Sequence, residues 1–132
     1  MLDNSGQGAG DGQKKIIMVV DDSTITLLTV SNVLGKEFDV RLCNGSKSAF
    51  LMLRRYKPDL ILLDIEMPEM DGFEFMEKFR EKYPDDDIPV IFVTSHKSGD
   101  AVAMAVKAGA KDYVGKPFSP DILRAKVIGA LK

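Results

Sequence analysis

Short apolar runs recur along the chain at 16–20, 38–43, 60–63, 90–93 and 112–115, each followed by a polar stretch. Three of them, IIMVV, LILL and VIFV, are nearly uninterrupted Val, Ile and Leu. A strand with one face in water alternates apolar and polar residues. These do not, which predicts strands buried on both faces, as in a parallel sheet. Between the runs the apolar spacing lengthens from two to three or four residues. Leu27, Val30 and Leu34 then share one helical face, as do Ala49, Leu53 and Tyr56, and Phe73, Met76 and Phe79. Leu123, Val127 and Leu131 repeat the pattern near the end. The stretch 99–108, GDAVAMAVKA, predicts a helix that is apolar nearly all round. Val102 and Val106 are expected to face the sheet, with Met104 pointing away. Glycines 35, 45 and 109 and prolines 58, 84 and 89 separate the elements. Five strand–helix units without an internal repeat predict an α/β fold, an open parallel sheet with helices on both faces.

The segment 1–14 differs in kind. It carries glycines at 6, 8, 10 and 12 among polar residues and has no periodicity. It reads as a flexible tail or a non-native remnant, leaving 15–132 as the folded domain.

Composition narrows the field. A chain of 132 residues supports one domain with one core. A net charge of −2 argues against direct nucleic-acid contact, which favours a strongly basic surface. No apolar run reaches the roughly 18 residues that span a bilayer, so no membrane segment is expected. Cys43 is the only cysteine and has no partner for an internal disulfide. With no leader-like start, a cytoplasmic location is expected.

In open α/β sheets, ligands bind beyond the carboxyl ends of the strands, so the residues there matter most. Asp21 and Asp22 end the first strand, Asp64 the third, and Thr94 and Ser95 the fourth; Lys116 and Pro117 follow the fifth. Each has a plain structural explanation: Asp22 or Asp71 as a helix N-cap, Thr94 as a strand terminus, Lys116 as a solvated cation. Their coincidence at one sheet end is harder to explain that way. Two like charges 4 Å apart near a protein surface repel by ~4 kcal/mol. Three carboxylates against the single charge of Lys116 call for a further cation. All-oxygen ligands suit Mg²⁺ or Mn²⁺ better than zinc.

The motifs VVDDS, LLDIEMPEMDG, VIFVTS and KAGAKDYVGKPF, in this order, resemble the CheY-like receiver domain of two-component response regulators across 15–132. The resemblance implies a flavodoxin-like five-stranded sheet of order 2-1-3-4-5 and phosphorylation of an aspartate. By position, Asp64 is the expected phospho-acceptor. Asp21, Asp22 and Asp64, with the backbone carbonyl of Glu66, are the expected Mg²⁺ site, Asp21 binding directly or through water. Thr94 and Lys116 are expected to contact the phosphoryl group, Tyr113 to change rotamer with it, and the Lys116–Pro117 peptide to be cis. A sensor histidine kinase or phosphotransfer protein is the implied donor. An output domain or partner protein is expected on the face that carries Met104. Glu66, Ser95 and His96 are expected on the rim, where Glu66 and His96 either tune water access or are merely solvated. The module is then a stand-alone regulator or part of a longer protein. Two alternatives remain. A haloacid-dehalogenase-like phosphatase also attacks phosphate with an Asp at a strand end, but it wants Asp two residues further on, where this chain has Glu66. The other is a receiver acting without phosphorylation, as a binding module only.

Overall fold

The structure, a computed structural model, describes residues 13–95 and 99–132. The elements run β1 (Ile16–Val20), α1 (Thr24–Leu34), β2 (Asp39–Cys43), α2 (Ser46–Leu53), β3 (Leu60–Leu63), α3 (Gly72–Lys82), β4 (Val90–Thr94), α4 (Gly99–Lys107), β5 (Asp112–Gly115) and α5 (Pro120–Ala130). The five strands form one parallel sheet in the order β2-β1-β3-β4-β5. Of the expected tail, only Gln13 and Lys14 are among the described residues, and both are exposed.

Side chains alternate across the sheet, so each buried strand feeds two cores. Ile17, Val19, Leu60, Leu62, Ile91, Val93 and Val114 pack against Leu27, Val30 and Leu34 of α1 and Leu123 and Val127 of α5. Met18, Val20, Ile61, Leu63, Val90 and Phe92 face the other way. They meet Ala49 and Leu53 of α2, Phe75, Met76 and Phe79 of α3, and Ala105 of α4. The near-continuous apolar runs of β1, β3 and β4 are the sequence signature of this two-sided burial. β2, at the edge, is buried fully only at Cys43.

Among the described residues, three helices carry side-chain caps at the sheet's carboxyl end. Ser23 caps α1 by accepting from the Thr26 N–H, and Ser119 caps α5, with Pro120 in its first turn. Asp71 and Glu74 form a capping box at α3. The cap of α1 is therefore Ser23, and Asp22 is left to other work.

Two expected helical faces need correction. Val106 is 70% exposed and Val102 only half-buried, so α4 seats Ala105 on the sheet instead. Met104 does point outward, at 53% exposure. The most apolar residues of α4 are thus not its most buried, because the small alanine allows the closer approach. Tyr56 lies beyond the end of α2, where its ring stacks under the Arg41 guanidinium at 4.0 Å.

Candidate functional site

The site is built from residues one step past the ends of three strands. The Asp21 N–H donates to the Cys43 carbonyl at 3.1 Å and the Asp64 N–H to the Val20 carbonyl at 2.9 Å. Sheet hydrogen bonding thus continues beyond each strand and fixes both backbones. Across the sheet, the Lys116 N–H donates to the Thr94 carbonyl at 2.7 Å, and the Lys116–Pro117 peptide is cis. The four strand ends thereby bring Asp21, Asp64, Thr94 and Lys116 to one place.

Burial is severe for such polar residues: Asp21 is 1%, Asp64 5% and Thr94 2% exposed. Asp22 is exposed, yet one carboxylate oxygen from each of Asp21, Asp22 and Asp64 lies within 4.8 Å of the others. Lys116 Nζ sits 2.8 Å from Asp21 Oδ2 and 3.6 Å from Asp64 Oδ1. The other oxygen of Asp21 accepts from the Ser23 N–H at 2.8 Å. Lys116 therefore leans on Asp21 and leaves Asp64 the less compensated of the two.

The consequence is electrostatic. Burial pushes the Asp64 carboxyl up to about 6, aided by repulsion from Asp21 and, more weakly, Asp22. The Lys116 ammonium and a hydrogen bond from the Glu66 backbone pull the other way and do not win. Three oxygen donors with one deficient counter-charge form a group able to hold a hard divalent ion.

A loop closes beneath Asp64. The Gly72 N–H donates to the Ile65 carbonyl at 2.7 Å, and a Cβ at Gly72 would lie 2.4 Å from the Asp64 carbonyl oxygen. Only glycine allows the start of α3 to come so near. The loop turns at Glu69, whose φ of 73° is left-handed. The sequence reads Asp71 as a helix N-cap, which it is; the close approach of Gly72 to the strand end is not legible there.

The other expected positions sort by exposure. Glu66 and Ser95 lie exposed on the rim, while His96 falls outside the described residues. Ser95 and Lys116 also border a cavity of about 410 Å³ with Ile25, Thr26, Thr29 and Phe118. Tyr113 is paired in register with Phe92 and is half-buried against the core that contains Ala105. Lys126 was not singled out by sequence, yet its Nζ lies 5.3 Å from the Tyr113 ring centroid.

Comparison with known proteins agrees with this fold. The family model described as the response regulator receiver domain matches residues 17–128. The chain is 34% identical over 115 residues to the regulatory protein LuxO of Vibrio cholerae, covering 87% of this chain and 25% of that protein. It is also 34% identical over 116 residues to the transcriptional regulatory protein KdpE of Staphylococcus aureus, covering 87% and 48%. The chain thus spans a quarter to a half of these two relatives. A response regulator structure from Thermotoga maritima superimposes with a TM-score of 0.81 at 36% identity, covering 89% of this chain and 98% of that one.

Proposed function

Because this chain belongs to the response regulator receiver domain family, whose role is that of a phosphorylation-dependent signalling switch, we propose that Asp64 is its phospho-acceptor. The observation that carries this reading is the placement of Asp64. It is the nearly buried carboxylate at the end of β3, 3.6 Å from the Lys116 ammonium and clustered with Asp21 and Asp22.

The donor is a phosphohistidine on a sensor kinase or phosphotransfer protein. An Asp64 oxygen attacks phosphorus in line, the new O–P bond forms as the P–N bond breaks, and the bonding pair leaves with the imidazole. Charge spreads over the phosphoryl oxygens, so catalysis is mostly positioning and electrostatics. Lys116 moves from its partly shared position toward the incoming charge. Thr94, at the end of β4, donates its hydroxyl to a phosphoryl oxygen. Asp21, Asp22, Asp64 and the Glu66 carbonyl would hold Mg²⁺, with Mn²⁺ as a substitute. The ion supplies the neutralisation that a lone lysine cannot.

Two surfaces flank this chemistry. Ile25 and Leu28 on α1 are 78% and 56% exposed, and Ile25 lines the cavity beside Lys116. That apolar ground is where the phosphodonor docks. Met104 and Val106 on α4 and Ile122 on α5 are each more than half exposed and form the output face, for an attached domain or a partner protein. Phosphorylation draws Thr94 inward, Tyr113 swings, and the output face changes shape. Water then removes the phosphoryl group slowly, with Glu66 on the rim of its path.

Acetyl phosphate with Mg²⁺ should label the protein once per chain without turnover of small phosphate esters. Steady release of phosphate from such esters would support the phosphatase alternative instead.

A further inference from the structure

Tyr113 lies on β5, an edge strand of the sheet, so among the described residues its N–H and C=O have no strand to bond on the open side. Both are capped from within the chain. Asp112 Oδ1 accepts from the Tyr113 N–H at 2.8 Å, and Lys126 Nζ donates to the Tyr113 carbonyl at 2.9 Å. The same ammonium donates to Asp112 Oδ1 at 2.9 Å and stands 5.3 Å from the centre of the Tyr113 ring. Lys126 is half-buried, and its neighbour Val127 is fixed in the core, so α5 holds the ammonium in place.

One cation thus grips Tyr113 at two points with different fates. The carbonyl belongs to the strand backbone and stays put when the side chain turns. The ring contact, within the roughly 6 Å range of a cation–π interaction, exists only while the ring occupies its present position. We propose that Lys126 is a positioning residue for the switch: it holds the Tyr113 ring in the position seen here and opposes its change of rotamer on phosphorylation. The inference rests on the reading of Tyr113 as the switch aromatic and adds the group that sets how readily it switches.

The consequence is a change in the resting equilibrium. A ligand that binds only the switched form has its apparent affinity reduced by the fraction of protein in that form. An exposed to partly buried cation–π contact of about 0.5–1 kcal/mol corresponds to a factor of roughly 2–5 in that fraction.

The test is a titration with beryllofluoride and Mg²⁺, following the Tyr113 ring resonances by NMR. Lys126→Gln keeps a donor for the Tyr113 carbonyl and loses the cation, and Lys126→Met loses both. Each should reach half-conversion at about 2–5-fold lower beryllofluoride than the parent. Lys126→Arg restores a cation and should return the midpoint to the parent's. Lys111→Gln removes the same charge from the exposed position just before the strand and should leave the midpoint alone. If the parent ring responds but Lys126→Gln titrates at the parent midpoint, or Lys111→Gln shifts it equally, the role of Lys126 is overturned. If the ring in the parent does not respond at all, the underlying switch reading fails instead.

Discussion

Replacing Asp64 with asparagine should make the metal-free protein more stable at alkaline pH, although it deletes a residue at the centre of the site. The folded protein raises this carboxyl from an ordinary 3.8 to about 6, chiefly by burial and then by repulsion from Asp21. Below pH 3.8 the group is protonated in both folded and unfolded chains and contributes nothing. Between 3.8 and 6 the folded chain keeps a proton that the unfolded chain releases, so stability falls as pH rises. Above 6 the full penalty stands, about 3 kcal/mol for a rise of this size. Asparagine avoids the penalty and keeps an oxygen for the Glu66 backbone to bond. For a domain this size, ~3–5 °C per kcal/mol gives a Tm about 10 °C above the parent's at pH 8 in EDTA. The advantage should shrink toward zero near pH 4. Mg²⁺ at a hundred times its dissociation constant should return ~2.7 kcal/mol to the parent and less to the variant. Thermal melts at pH 4 and 8, with EDTA and with Mg²⁺, measure all of this. A variant less stable than the parent at pH 8 in EDTA would refute the electrostatic account.

Two further outcomes are expected. Gly72→Ala should lose about 3 kcal/mol or more in denaturant melts, because its Cβ would meet the Asp64 carbonyl oxygen at 2.4 Å and backbone must move; a loss below 1 kcal/mol would show the loop to be compliant. Thr94→Ala should still take up one phosphoryl group from acetyl phosphate, yet its Tyr113 and α4 amide resonances should move far less than the parent's; full movement would remove Thr94 from the signal path.

Much of this architecture is readable from the sequence because burial on both faces leaves so few polar residues in β1, β3 and β4. Against that background a strand-terminal carboxylate stands out, and Asp21, Asp64 and Thr94 are indeed nearly buried together. The orientation of α4 was not readable in the same way. Hydropathy favours Val106 for the interior, but packing distance decides, and Ala105 fits where a larger side chain would hold the helix off the sheet. The sequence offers Asp22 as a helix cap; Ser23 fills that role and Asp22 joins the carboxylate cluster. The grip of Lys126 on Tyr113 spans 13 residues and depends on how α5 lies along the sheet edge, which no local pattern encodes.

The central claim is that one carboxylate, Asp64, carries the signal as an acyl phosphate. The most direct measurement treats the protein with acetyl phosphate and Mg²⁺, reduces the product with borohydride, which converts an acyl phosphate to an alcohol, and maps the altered residue by peptide mass. Conversion should be found at Asp64, should require Mg²⁺, and should vanish in Asp64→Asn. Conversion at another residue, or at none under conditions where Mg²⁺ binds, would contradict the account.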